Sequence, residues 1–184
     1  MTIIWILLAA VVLAVLWFIA MYNGLVQLRE NVKNGWSQID VQLKRRHDLI
    51  PNLVETAKGY MAHERETLER VIKARQQAID ATNIKSKQEA ENILSGTLRS
   101  LFAVAENYPN LKADAHMLKL QEELTLTENK IAFARQYYND EVNRLNTTVQ
   151  SFPNSVAAQI GQFSKAEFFQ IQDAAEKQAP QVKF

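Results

Sequence analysis

The feature that most constrains this chain is an uninterrupted apolar stretch near its N-terminus, from Ile3 to Met21. The stretch contains no charged residue, no glycine and no proline. As a helix rising about 1.5 Å per residue it is roughly 28 Å long, close to the thickness of a bilayer core. Trp5 and Trp17 lie near its ends and Tyr22 follows it, where amphipathic rings favour the membrane interface. We therefore predict a transmembrane segment over Ile3 to Met21.

A cleaved signal peptide is the main alternative to a retained membrane anchor. No basic region precedes the apolar stretch, and the stretch is longer than the apolar part of a usual signal peptide. No small-residue cleavage site follows, because Ala20 stands between Ile19 and Met21. We therefore expect a single-pass anchor that stays on the protein.

Basic residues after the anchor predict its orientation. Arg29, Lys33 and the basic run 44–46 all follow the apolar stretch, whereas only Met1 and Thr2 precede it. The positive-inside rule then places the C-terminal part of the chain in the cytoplasm. The same basic residues also belong to an amphipathic helix, which is an alternative reason for their presence.

The composition predicts an all-α protein. The chain has only five glycines and four prolines, and apolar residues recur at spacings of three or four rather than alternating. Lys and Arg number 21 against 20 Asp and Glu, so no basic surplus points to nucleic acid. The chain has no Cys, which removes thiol chemistry, disulfides and thiolate metal ligands from consideration.

Four amphipathic segments with short links predict a helical bundle. The first begins at Leu25, and its apolar stripe resumes in phase from Ile50 onwards. Pro51 has no amide donor and disfavours helix at the residue before it, so we expect a kink or a restart there. Residues 107–110 (NYPN) form a turn cluster that should end the third segment.

Two sequences resemble capping boxes, in which a hydroxyl and a carboxylate satisfy the first amides of a helix. They are residues 86–89 (SKQE) and 164–167 (SKAE). We expect a helix to begin at each of them, the second one containing Phe168, Phe169 and Ile171.

The last long segment has a heptad pattern of apolar residues. Its members, spaced by seven, are Met117, Leu124, Ile131, Tyr138 and Leu145. The companion positions become small at Thr127 and Ala134, which lets a neighbouring helix approach closely. This pattern favours a bundle seam, with a two-stranded coiled coil as the alternative.

These segments predict the architecture of the whole chain. We expect an N-terminal transmembrane helix that continues into about four long antiparallel helices, followed by a short helical tail rich in Phe. The expected divisions are an anchor at 1–22, a bundle at 23–151 and a tail at 152–184.

No motif for catalysis or metal binding is present in the sequence. The three histidines, His47, His63 and His116, lie too far apart for a helical zinc motif. The two Glu-x-x-His pairs of a di-iron bundle are absent from the sequence. No G-x-S-x-G motif marks a nucleophilic serine either. We therefore predict no enzymatic activity, no catalytic residue, no metal and no cofactor.

Polar residues nevertheless cluster around Pro51 and along the last long helix. Hydrogen-bonded polar pairs between helices can set the register of a bundle, because an unpaired buried charge costs several kcal/mol. A ligand or partner site at the Pro51 break is the alternative interpretation. The residues of this candidate interhelical polar network are Arg45, Arg46, Asp48, Asn52, Glu128, Asn129, Arg135 and Asp140.

Most of the eight Phe residues lie in the tail. They either dock back on the bundle or form an exposed surface for a partner, a sister subunit or the bilayer. Phe163, Phe168, Phe169 and Phe184 are the residues of this candidate assembly surface.

Specific sequence strings resemble the LemA family over essentially the whole chain. The longest covers residues 36–54 and reads WSQIDVQLKRRHDLIPNLV. Others are GY at 59–60, HE at 63–64, AR at 74–75, ENYP at 106–109, LKA at 111–113, LQEEL at 120–124, TENKIA at 127–132, AR at 134–135, YND at 138–140, FP at 152–153, FF at 168–169 and PQVKF at 180–184.

The resemblance implies a bacterial membrane protein with one N-terminal span and a helical-bundle domain. It implies no enzymatic activity, and a branch of the family is associated with magnetosome membrane formation. We expect a non-enzymatic scaffold in the bacterial inner membrane that binds the lipid bilayer, self-associates or docks another membrane protein, and does not bind nucleic acid. The alternative is a signalling or regulatory adaptor that binds a small ligand or a protein near Pro51.

Overall fold

The computed structural model describes residues 1–61 and 63–169 of the chain. Within those residues it has six helices and no strand, which confirms the predicted all-α fold class. The helices are α1 (Thr2–Lys58), α2 (Arg65–Asp80), α3 (Ile84–Ala105), α4 (Pro109–Lys112), α5 (Ala115–Gln150) and α6 (Asn154–Ile160).

Helix α1 contains both the apolar stretch and the first amphipathic segment. It runs without interruption from Thr2 to Lys58, as the predicted continuity of anchor and domain requires. Among the described residues it is the one helix long and apolar enough to cross a membrane. The side chains of its apolar stretch are exposed except for Phe18 and Met21, which are partly buried, and Leu25 beyond the stretch is fully buried. The change from an all-round apolar surface to a one-sided apolar stripe therefore occurs within a single helix.

The helix restart that Pro51 suggested does not occur, because Pro51 lies inside α1. Proline cannot donate to the carbonyl four residues earlier, which belongs to His47. The Nε of Arg75, on α2, donates to that carbonyl instead at 2.7 Å. Ile50 and Leu53 on either side of the proline are fully buried. A side chain from a neighbouring helix thus replaces the missing hydrogen bond, and core packing supports the helix on both sides of the proline.

The capping boxes differ from the predictions. Helix α3 begins at Ile84 and not at Ser86, because Asn83 is its N-cap. The Asn83 side chain accepts from the Ser86 amide at 2.7 Å, and the Ser86 hydroxyl accepts from the Asn83 amide at 3.3 Å. Asparagine is among the strongest N-caps, so it displaces the serine from that position.

No helix begins at residues 164–167, so the second predicted capping box is also wrong. Side chains of α5 satisfy the backbone of this segment. Asn146 bonds both the amide and the carbonyl of Ala166, and the Tyr138 hydroxyl donates to the Glu167 carbonyl at 2.8 Å. Residues 164–169 therefore have no regular secondary structure, and Ile171 lies outside the described residues.

The heptad of α5 packs in the core as the sequence predicts. Met117, Leu124, Ile131, Tyr138 and Leu145 are all buried. Thr127 and Ala134, the small companions, are buried too.

The chain divides into two compact units, each built from stretches that are distant in sequence. Among the described residues, unit 1 consists of 1–39 and 133–168, and unit 2 consists of 40–132 together with Phe169. The division into anchor, bundle and tail at residues 22 and 151 remains a prediction.

Unit 1 holds its helices together through aromatic rings and one close backbone approach. Trp36 and Tyr138 meet edge to face with centroids 5.6 Å apart. A Cβ atom on Gly35 would lie 3.1 Å from the Tyr138 Cα, so α1 and α5 approach here more closely than a larger residue would permit. Asn31 donates to Glu141, a buried carboxylate that also pairs with Arg144.

Unit 2 has a continuous apolar core between α1, α2, α3, α4 and α5. Its larger members are Ile50, Leu53, Val54, Met61, Leu68, Val71, Leu94, Leu98, Leu101, Leu111, Met117 and Leu124.

Asp114 closes one end of unit 2. One carboxylate oxygen accepts from the His116 and Met117 amides, both at 2.9 Å, and so caps the start of α5. The other accepts from the Tyr60 hydroxyl at 3.0 Å. The Met117 amide, followed by the Tyr60 hydroxyl, holds the pKa of Asp114 below its ordinary value. The hydrogen bond that Tyr60 donates to Asp114 also raises the pKa of Tyr60. The cap is therefore strongest with Asp114 ionised and weakens as the pH falls through its folded-state pKa.

Replacing Arg75 should weaken unit 2 by an amount that depends on Pro51. In the native background we expect Arg75→Met to lower the free energy of unfolding by about 1–2 kcal/mol, because the His47 carbonyl loses its donor. In a Pro51→Ala background the loss should shrink, because the amide introduced at position 51 can bond that carbonyl. Urea denaturation of the native protein, the two single variants and the double variant measures this coupling as a double-mutant cycle.

Arg70→Met is the matched control for this cycle. Arg70 is exposed on the same helix, so its replacement should have the same small effect in both backgrounds. Equal losses for Arg75→Met with and without Pro51 would contradict the proposed compensation.

Candidate functional site

The most unusual polar group of unit 2 is Arg46, which is only 2% exposed. It lies on the buried side of α1. Its Nη1 is 3.1 Å from a carboxylate oxygen of Glu128, on α5, and 3.5 Å from one of Glu91, on α3. Its Nη2 donates to the Ser95 hydroxyl, also on α3, at 2.7 Å. One guanidinium therefore joins three helices.

Glu91 is the counterpart of Arg46 and is fully buried, with 0% of its surface exposed. Its second oxygen lies 2.7 Å from Nε2 of His47. With its proton on Nε2, His47 donates to this carboxylate. Arg46 and His47 are consecutive on α1, so both oxygens of Glu91 face the same turn of that helix. We refer to Arg46, His47, Glu91, Ser95 and Glu128 as the buried polar cluster.

The helical spacing brings the buried polar cluster together. Glu91 and Ser95 are four residues apart on α3 and therefore share one face. Glu91 also lies three residues before Leu94, in phase with the apolar stripe of that helix. An ionised carboxylate in this position would cost several kcal/mol without its partners. The charged groups pair across α1, α3 and α5, while Nε and Nη1 of Arg46 and Oε2 of Glu91 make no hydrogen bond within the described residues. This pairing favours one register of the three helices.

An open groove of about 300 Å³ lies beside the cluster. It is lined by Arg46, Ser95, Leu98, Arg99, Phe102, Leu124, Thr125, Glu128 and Asn129. Among the described residues, no group of three or more His, Asp or Glu side chains is placed to hold a metal ion.

The residues predicted as a polar network have different environments. Arg46 and Glu128 pair with each other. Arg45 lies 3.8 Å from Glu123 at the surface, and Asp48 pairs with Lys44 one turn away on α1. Asn52, Asn129 and Asp140 are exposed, and Arg135 is buried.

Three members of the cluster were absent from that prediction: His47, Glu91 and Ser95. A usable signal existed for Glu91 and His47, because each occupies a position in phase with the apolar stripe of its helix. A charged or titratable residue on an apolar stripe predicts a buried polar partner.

The candidate assembly surface of Phe residues is only partly exposed. Phe163 and Phe169 are buried, whereas Phe168 is partly exposed. Phe184 lies outside the described residues. An assembly role for these four residues remains a prediction.

Replacing Glu91 by a neutral residue should lower the free energy of unfolding far more than the same change at Glu128, although both carboxylates face Arg46. Glu91→Gln leaves a buried guanidinium without its enclosed counter-charge, and we expect it to lower the free energy of unfolding by about 3 kcal/mol. Glu128 is half exposed, so Glu128→Gln should cost less than about 1 kcal/mol. Urea denaturation followed by circular dichroism measures both losses, and losses of equal size would contradict the assigned burial.

Comparison with known proteins agrees with this fold and with the sequence strings noted above. A sequence model of the LemA family matches residues 35–184. Protein LemA of Metamycoplasma hominis is 26% identical over 157 residues, which cover 82% of this chain and 70% of the relative. Magnetosome protein MamQ 2 of Paramagnetospirillum magneticum is 26% identical over 195 residues, covering 90% and 72%. Magnetosome protein MamQ of Magnetospirillum gryphiswaldense is 23% identical over 181 residues, covering 84% and 66%.

The match of the family model over most of the chain, together with these relatives, confirms the resemblance. The chain belongs to the LemA family.

Proposed function

We propose that this protein is a membrane-anchored helical scaffold that acts by binding and not by catalysis. The observation that carries the proposal is the continuity of α1, whose exposed apolar stretch passes directly into a helix packed against α5 and α6. An apolar stretch of this length, exposed on all sides over residues 3–17, matches the core of a bilayer. The bilayer is thus the first partner of the protein, and the names of the MamQ relatives agree with a role at a membrane.

The buried polar cluster supports binding over turnover. Its charged groups pair with one another across three helices. Such pairs fix the arrangement of helices against one another. A scaffold needs a fixed arrangement of this kind, because its surfaces must keep their relative positions.

Self-association is supported by an exposed apolar face of α5. Leu118 and Leu126, on the part of α5 that belongs to unit 2, are each more than half exposed. They are eight residues apart, which places them about 80° apart around the helix. Apolar side chains repeated along one face of a helix favour packing against another helix. We propose that a second copy of this chain covers this face, and another membrane protein is the alternative occupant.

Charged substitutions on this face should dissociate the assembly. We expect the purified full-length protein to be oligomeric in mild detergent. The double variant Leu118→Lys, Leu126→Lys should have the mass of one 21.0 kDa chain, because lysine cannot be buried unpaired in the interface. Size-exclusion chromatography with light scattering measures the protein mass.

A matched double variant controls for the added charge. Ile72→Lys and Ile93→Lys replace exposed apolar residues on other helices and should leave the oligomer intact. A monomeric native protein would overturn self-association, and an intact oligomer in the α5 variant would exclude this face as the interface.

We propose the bacterial inner membrane as the location, with the part of the chain after the span in the cytoplasm. The basic residues Arg29 and Lys33 directly after the span support this orientation. Since the chain has no cysteine, single cysteines can report it. In spheroplasts, Ser37→Cys should react with a membrane-impermeant maleimide only after permeabilisation, whereas Thr2→Cys should react at once. Reaction of Ser37→Cys in intact spheroplasts would contradict this orientation and indicate the opposite one.

A further inference from the structure

Helix α6 packs against the end of the apolar stretch of α1. Ala157 and Ala158, its buried residues, form a cluster with Leu25 and Phe163. The residues packed on this cluster include Phe18 and Met21. The small side chains of α6 let it lie close to α1. Helix α6 is therefore level with the last turn of the predicted span.

Aromatic contacts fix α6 at this level. Tyr22 and Phe163 meet edge to face with centroids 5.5 Å apart. A Cβ atom on Gly161 would lie 2.8 Å from the Tyr22 ring and 2.6 Å from that of Phe163, so the chain leaves α6 through a space that only glycine fits. Tyr22 is also the residue at which the apolar stretch gives way to polar sequence.

The outer side of α6 is apolar although it faces away from the protein. Val156 and Ile160 are one helical turn apart, and Ile160 is 66% exposed. Phe152, just before the helix, is 85% exposed. These three residues contrast with the buried alanines on the opposite side. The helix thus has apolar residues on both sides, and only one side is covered by the chain itself.

A basic residue lies on the polar side of this region. The guanidinium carbon of Arg29 is 5.1 Å from the centre of the Phe163 ring. A cation stacked on an aromatic ring just beyond the end of a span lies where lipid phosphates are expected. Apolar residues next to the span and a cation beyond them match the order of chemical groups across a membrane surface.

We propose that α6 is a membrane-interface helix, with Phe152, Val156 and Ile160 inserted among the lipid headgroups and upper acyl chains. The occupant of this surface is the bilayer, because the surface is continuous with the apolar stretch of α1 through the contacts at Phe18 and Met21. This inference rests on the proposed membrane anchoring by α1. In consequence α6 gives unit 1 a second point of attachment to the bilayer and fixes the rotation of α1 about its own axis.

Quenching by lipids tests the position of α6 in the full-length protein. Single cysteines at Val156 and Ile160 carry a small fluorophore, and the protein is reconstituted in phosphatidylcholine and phosphatidylglycerol vesicles containing lipids with a nitroxide on the upper acyl chain. Both sites are exposed, so the labels do not disturb the core. We expect both labels to lose most of their fluorescence.

Two further sites on α1 make the result decisive. A label at Leu13→Cys lies within the proposed span and should be quenched, whereas one at Ser37→Cys lies about 24 Å along the helix beyond Met21 and should not be. Quenching at Leu13 without quenching at Val156 and Ile160 would overturn the interface helix alone. A second copy of the chain covering α6 would give this same result. The absence of quenching at Leu13 would overturn the anchoring and the interface helix together.

Discussion

The requirement that every backbone amide and carbonyl be satisfied without water determines the form of α1. Inside a bilayer core a single segment can meet this requirement only as a helix. The helix then continues past Tyr22 without interruption, so one hydrogen-bond ladder runs from the proposed span into the amphipathic segment of α1. Pro51 is the position at which that ladder lacks a donor, and Arg75 supplies one from α2. Continuity of this helix is the basis on which both units are built.

The buried polar cluster is the second constraint, and it acts on register more than on net stability. Removing Arg46, Glu91 and His47 from water is costly, and their mutual attraction offsets much of that cost. A slip of α3 along α1 would separate Glu91 from both partners while leaving much of the apolar contact intact. The buried polar cluster therefore favours one register of α3 against α1 over other registers that the aliphatic side chains alone would permit. Such discrimination is what distinguishes a rigid scaffold from a loosely packed bundle.

The periodic features of this fold could be predicted from the sequence, and the features that depend on a distant partner could not. The heptad from Met117 to Leu145 reports burial directly, because helical spacing alone places its members on one face. The restart expected at Pro51 failed because the compensating donor, Arg75, comes from another helix. Residues 164–167 have the local pattern of a capping box, but Asn146 and Tyr138 bond the backbone in a different conformation.

The candidate site shows the same limit. The sequence predicts Arg46 and Glu128 as members of a polar network, yet the fully buried partner of Arg46, Glu91, looks in sequence like one of many solvated carboxylates. Its phase with Leu94 on the apolar stripe is the local sign of burial. The sequence placed the assembly surface on the Phe residues of the tail, but Phe163 and Phe169 are buried, and exposed apolar residues also lie elsewhere, among them Leu126 on α5 and Ile160 on α6. An apolar side chain in the sequence indicates that the residue will be covered, but it does not indicate whether the same chain, another chain or the bilayer covers it.

Spin-label distance measurement across the end of the span tests the continuity of α1 most directly. Labels at Val12→Cys and Glu30→Cys are eighteen residues apart on exposed positions of α1, on either side of Tyr22 and Gly24. In lipid nanodiscs, double electron–electron resonance should give one narrow distribution centred near about 27 Å, the length of five helical turns. A broad distribution reaching well below that distance would show a flexible junction and would contradict a scaffold built on one continuous helix.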